Sequence, residues 1–339
     1  MQTLKIPMPW LAAVLSVLAP GLAQDSSEQA PEAGSPTGVI AFNRSGKILV
    51  LSLETGVETV LVENNVYDRP LTWLPASDRL VYWNHDGGAW DLWSVDAGSK
   101  QRVALTKSAS DSRSAVGSPD GKVIAFMRGD MGVWSMDASG ANQVQLDARG
   151  HRDAPPAWSP SGARLAFTDL TSTGDTTVSL ASFVVQLEAG KAKSATELGH
   201  GEVAFFLDET HVLLEASHEG ARELVVVDVE SGVRRALTKS VDVDSRAVLS
   251  PDRSRIAWVE RSKQNATLKI MRVDGSEVRA LAPIHHLFSR PSFSPDGRFL
   301  AYDSGPDRVS LQAFIVPTTG GSARAVTKDG GSCPVWRPH

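Results

Sequence analysis

The 339-residue sequence predicts an all-β chain folded as a seven-bladed β-propeller, closed by pairing of its N- and C-terminal strands. The first observation behind this is a turn that recurs between short apolar runs, complete as Ser118-Pro119-Asp120-Gly121 and Ser294-Pro295-Asp296-Gly297. The second is its period. Taking Pro75, Pro119, Pro160, Asp208, Pro251, Pro295 and Pro338 as markers, successive turns stand 41 to 48 residues apart. Repeats of that length carrying only short strands are the sign of propeller blades, each a four-stranded sheet. The third is a displaced strand. Val39-Ile40-Ala41-Phe42 matches the second strand of the other units, and the absent first strand reappears at the far end as Pro334-Val335-Trp336-Arg337-Pro338. Closure of this kind leaves no open sheet edge.

Residues 1–23 read as a secretory signal, with Lys5 ahead of an apolar run from Trp10 to Ala19 and small residues Gly21-Leu22-Ala23 before a cut at Gln24. The run is about ten residues, against the ~20 that a spanning helix needs, so a periplasmic or secreted chain that does not span the membrane is expected. Residues 24–38 are rich in Ser, Glu, Ala, Pro and Gly, lack periodicity, and are expected to form a disordered linker. The propeller then occupies residues 39–339.

Second strands are expected at 39–42, 80–83, 123–126, 165–167, 212–214, 256–259 and 299–302, which again counts seven. Third strands such as Leu92 to Asp96, Val133 to Asp137, Val225 to Asp228 and Ile270 to Asp274 end on Asp and run into a turn. Outer strands such as Val103 to Thr106, Arg235 to Thr238 and Ala325 to Thr327 end on Thr. Blade four is irregular, with a polar stretch from Asp169 to Thr177 and a long strand from Ala181 to Leu187.

Apolar residues make up 42% of the chain, enough for a large core, and the formal charge is -5 with no basic run, which argues against nucleic acid as a partner. Cys333 is the single cysteine, so an intrachain disulfide and a cysteine-based zinc site are excluded, and it reads as a small buried residue. No Gly-x-Ser-x-Gly elbow, His-Glu-x-x-His helix or phosphate loop is present.

The Ser-Pro-Asp-Gly-x-x-Ile-Ala-Phe box, the Asp-ended third strand and the Leu-Thr fourth strand together resemble the TolB-type Asp-Pro propeller repeat of exported bacterial proteins, over residues 39–338. The Gly-His and Trp-Asp pair of WD-type blades is not found. TolB carries an α/β domain ahead of a six-bladed ring, whereas this sequence offers only the linker and counts seven units. A six-bladed ring of that type is the alternative fold.

In a propeller the loops entering the innermost strands gather at one mouth of the central channel. Here they carry Asp68, Arg69, Asp111, Arg113, Arg152, Asp153, His200, Glu202, Asp244, Arg246 and Arg290, the candidate ligand-binding residues. Guanidinium groups in this ring could grip a partner's carboxylates. Equally, each Asp could pair with the Arg of a neighbouring blade and tie the inner strands together. The first reading makes the chain a monomeric binding or scaffold protein that recognises a protein or cell-envelope polymer, without metal or cofactor. The alternative is a metal-dependent polysaccharide or sugar-acid lyase or hydrolase, because oligogalacturonate lyases resemble this chain in blade number and repeat type. Its ligands would come from His85, His151, His200, His218, His285 and His286, expected in loops of the same face. Asp86, Asp130, Asp303 and Asp307 are expected in solvated loops there.

Overall fold

Each Ser-Pro-Asp-Gly segment closes a hairpin through a fixed set of bonds. The Ser118 hydroxyl accepts the Val123 amide at 3.0 Å and donates to Asp120 at 2.7 Å, while the Gly121 amide donates to the Ser118 carbonyl at 2.9 Å. Ser250 with Asp252 and Ser294 with Asp296 repeat the arrangement. Gly121 has φ 70°, and a Cβ there would lie 2.2 Å from the Pro75 carbonyl of the preceding blade, so both conformation and contact require glycine. Arg253 stands at the same place in its turn, with φ 58°. Its guanidinium donates to the Phe206 and Leu207 carbonyls of the preceding blade.

The remaining repeat residues have equally local reasons. Thr106, Thr238 and Thr327 accept the amides of Leu92, Leu224 and Ala313 at 2.9, 2.9 and 3.0 Å, which fastens each short outer strand to the third. The Asp ending the third strand receives the turn's amides and hydroxyls, as Asp96 does from Ser99 and Asp228 from Ser231.

The computed structural model describes residues 34–338, apart from 64–68, 76, 86–87, 130, 151–152, 173–177, 189, 219–220, 239–242, 262–265, 288 and 308. These form seven antiparallel sheets. In blade 2 the order from the axis outward is Arg69–Trp73, Arg79–His85, Trp90–Asp96 and Arg102–Ala104. Blades 3, 5, 6 and 7 follow the same plan, with innermost strands Ser112–Gly117, Glu202–Phe206, Val243–Leu249 and Ser292–Phe293.

Blade 1 takes its innermost strand, Ser332–Trp336, from the far end of the chain, beside Val39–Arg44. Ile40 pairs with Trp336 and Ala41 with Val335, which is the expected closure. Pro36 is buried and the Gly38 amide donates to Glu54 at 2.7 Å, so ordered contacts begin just before the first strand.

Second strands are apolar on both faces because each lies between two blades. Leu80 and Tyr82 pack toward blade 1, whereas Val81 and Trp83 face Ile124 and Phe126 of blade 3. A core cluster of this kind fills every junction around the ring, and at the closing one Ile40 and Trp336 meet Phe299, Ala301 and Ile315. Seven sheets and seven junctions overturn the six-bladed alternative.

Blade 4 differs from its neighbours as its sequence suggested. Its second and third strands lengthen into Arg164–Ser172 and Val178–Glu188. The two-residue strand Lys191–Ala192 and then Thr196–His200 both pair with the third. Among the described residues no helix is long and apolar enough to cross a membrane.

Candidate functional site

The innermost strands do not enter their blades straight. At several a residue turns left-handed, presenting an amide to a polar side chain on the second strand of the preceding blade. Arg246 has φ 91°, and its amide and that of Ala247 donate to Glu215 Oε1 at 2.7 and 2.9 Å. Cys333, at φ 54°, donates its amide to Asp303 Oδ2 at 2.9 Å, and Asp303 also receives the Ser289 amide and hydroxyl. The Val203 amide donates to Thr168 at 2.8 Å, just after Gly201 at φ 137°. Residues carrying side chains adopt positive φ rarely, so three-dimensional contacts must hold such bends.

These fastening residues are buried. The Glu215 side chain is 1% exposed and Asp303 has no exposed surface. Asp303 therefore corrects the expectation of a solvated loop aspartate: it lies within the strand Phe299–Ser304. Asp307 does sit in an exposed loop, where it accepts the Val309 and Ser310 amides, and Asp86 and Asp130 fall outside the described residues.

The candidate residues divide into distinct groups. Arg113 Nη2 pairs with Asp111 at 2.8 Å and Nη1 reaches Asp153, ahead of blade 4, at 3.4 Å. Its guanidinium also lies 5.1 Å from the Trp90 ring centroid, and Asp111 accepts the Trp90 amide. Arg290, ahead of blade 7, donates to the Ala247 carbonyl of blade 6 at 3.2 Å and pairs with Glu202 of blade 5 at 3.3 Å. A single side chain thus links three blades. Arg246 makes no such tie: among the described residues its guanidinium has no hydrogen-bond or ion-pair partner.

Arg69 opens the blade 2 inner strand, paired in register with Trp83. Asp244 lies in the blade 6 inner strand opposite Val259. Asp68 and Arg152 fall outside the described residues. His200 ends the outer strand of blade 4, where its Nδ1 lies 2.9 Å from the Ser179 hydroxyl. It lines a side pocket of about 330 Å³ with Glu202, Glu215 and Arg222.

Asp153, Glu202, Arg246 and Arg290 share a cavity of about 560 Å³ at the channel mouth, together with apolar surface from Leu71, Trp83 and Val335. Cys333, buried as expected, contributes to the same wall. At the opposite mouth, on the side of the Ser-Pro-Asp turns, Pro119, Pro251, Trp158, Phe206 and Phe293 line a space of about 580 Å³.

The described histidines do not gather. His85 packs on Trp90 with centroids 4.9 Å apart, and His285 lines a separate groove in blade 7. Among the described residues no group of three or more His, Cys, Asp or Glu could hold a metal ion. His151 falls outside the described residues.

Sequence reasoning missed Glu215 and Thr168. Their signal was available only by aligning blades: the residue after the aromatic or apolar end of the second strand is polar in most of them, Asn43, Asn84, Thr168, Glu215 and Asp303 among them.

Comparison with known proteins gives a consistent answer. Residues 138–339 match the family described as the TolB beta propeller domain. A protein described as a TolB homolog from Chlorobium chlorochromatii is 31% identical over 142 residues, which is 41% of this chain and 31% of the relative, so the match spans under a third of that protein. Among solved structures, TolB from Acinetobacter baumannii superimposes with a TM-score of 0.58 at 19% identity, covering 89% of this chain and 82% of that one. An oligogalacturonate lyase in complex with manganese gives 0.62 at 13% identity, covering 84% and 81%. At these identities the structural likenesses establish the fold. The seven-sheet ring with Ser-Pro-Asp turns and the family match over more than half the sequence converge: this chain belongs to the TolB β-propeller family.

Proposed function

We propose that the chain is an exported binding protein of the cell envelope, which recognises a protein or envelope polymer at the charged mouth of its central channel. The observation that carries this reading is the construction of that mouth. Buried side chains of one blade fix the backbone at the mouth in the next, so the polar groups around the 560 Å³ cavity are held in place before any ligand arrives. Preorganisation of this kind reduces the ordering cost of binding. Family membership and the signal-like pattern of residues 1–23 support the envelope location.

The reading is tested by placing a photo-crosslinking amino acid at Ser289, at the mouth, or at Pro119, at the opposite end, and exposing each protein to detergent extracts of bacterial envelopes. Discrete crosslinked products from Ser289 alone are expected. Equal labelling from both ends, or stoichiometric manganese, zinc or iron with cleavage of polygalacturonate, would overturn it in favour of the lyase reading.

A further inference from the structure

We propose that Arg246 is the specificity-determining residue of the channel mouth and that it takes a carboxylate of a peptide segment, an Asp or Glu side chain with an apolar neighbour. This rests on the protein-binding reading above and adds the chemistry of the ligand.

Three observations converge on Arg246. First, among Arg113, Arg246 and Arg290 it is the guanidinium without a hydrogen-bond or ion-pair partner in the described residues. Arg113 is held by Asp111 and Asp153, and Arg290 by Glu202 and the Ala247 carbonyl, whereas Arg246 has no such partner among the described residues. Arg113 and Arg290 are therefore blade ties.

Second, Arg246 is held in an unfavourable conformation. Its φ of 91° is one that glycine would adopt without strain, and a buried carboxylate maintains it by accepting two consecutive amides. Blade 6 has an arginine at this bend, and the guanidinium gains no hydrogen bond or ion pair among the described residues in return.

Third, Arg246 shares its cavity with an apolar wall of Leu71, Trp83 and Val335, and the two carboxylates that also line it, Asp153 and Glu202, are paired with Arg113 and Arg290. A guanidinium binds a carboxylate in a planar, two-bond geometry. The wall beside it suits an aliphatic or aromatic side chain of the same peptide. A sugar acid would satisfy the guanidinium and could lay a ring face on Trp83 but would leave the aliphatic surface of Leu71 and Val335 uncovered, and for that reason the peptide is favoured.

The test uses the full chain, immobilised, with a library of randomised heptapeptides blocked at both termini. Arg246→Gly and Arg246→Lys proteins are run in parallel, because glycine accepts the backbone conformation and keeps the variant folded. Recovered peptides are expected to be enriched in Asp or Glu next to an apolar residue. Binding of the best of them should fall at least tenfold in R246G and when its acid is changed to the amide, with partial recovery in R246K.

Recovery of peptides without acid enrichment, competed away by Trp83→Ala, would overturn the assignment to Arg246 while leaving peptide binding at the mouth intact. Recovery of no peptide at all would overturn both. A free-acid arm separates the sources: galacturonate that binds as tightly as the best peptide, with the same dependence on Arg246, would overturn the peptide assignment.

Discussion

Glu215 Oε1 receives the amides of Arg246 and Ala247 at 2.7 and 2.9 Å, so a carboxylate on the second strand of blade 5 sets the first bend of blade 6. Its removal leaves two donors without an acceptor and a small void. Glu215→Ala is expected to destabilise the protein by about 2–4 kcal/mol, read from urea unfolding, with Glu215→Gln recovering part of the loss. An unchanged unfolding midpoint in the alanine variant would show that the bend holds itself.

Ring closure depends on a strand 300 residues from its partner. Trp336 is 4% exposed and packs on Phe299, Ile315 and Ile40. Trp336→Ala should cost about 3–5 kcal/mol. Deleting residues 334–339 should cost at least as much, since the first strand loses its pairing partner as well. Melting curves that coincide with that of the intact protein would refute closure.

Arg113 and Arg246 should respond in opposite ways. Arg113→Ala takes the guanidinium away from Asp111 and Asp153, and because the arginine side chain is 19% exposed the expected loss is about 1–2 kcal/mol in thermal unfolding. Arg246→Gly relieves a positive φ and should leave the melting temperature unchanged or raised. Equal destabilisation by both would place Arg246 among the ties.

The turns make a prediction about acid. Hydrogen bonds from Ser250 and then Ser254 lower the Asp252 carboxyl from the ordinary 3.8 to about 2, and the Ser118 hydroxyl holds Asp120 below its ordinary value. A depressed carboxyl stabilises the fold above its unfolded value, so the contribution is complete above about pH 4 and lost as pH falls toward 2. Asp252 is exposed, and solvent screening leaves about 1 kcal/mol. Asp252→Asn should therefore be less stable than the parent at pH 7 and nearly equal to it at pH 2, measured by denaturant titration at each pH.

The buried Thr327 hydroxyl accepts the Ala313 amide at 3.0 Å. Thr327→Val keeps the shape and strands that amide, for an expected loss of about 1–2 kcal/mol in urea unfolding. A valine variant as stable as the parent would mean that another acceptor takes the amide.

The repeat residues were legible because their work is local. Ser118 and Asp120 bond within the same turn, and Thr106 fastens one strand of its blade to the next, so their spacing in sequence already encodes the contact. Trp336 was legible for a different reason: a missing first strand at one end and a surplus one at the other leave one arrangement that satisfies both. The mouth was legible only as a collection of charged loop residues.

By itself the sequence determined seven blades, their second strands, the closing pair and the face on which charges gather. The tertiary structure alone decided which of the described arginines there are ties. Arg113, Arg246 and Arg290 have the same chemistry and similar positions in their repeats. They differ because Asp153 pairs with the first, Glu202 and the Ala247 carbonyl with the third, while the buried Glu215 takes the backbone amide of the second and not its guanidinium. A hydrogen-bonded ion pair is lost once its atoms part by a few ångströms, and those distances are set by how neighbouring blades pack, which a repeat pattern does not record.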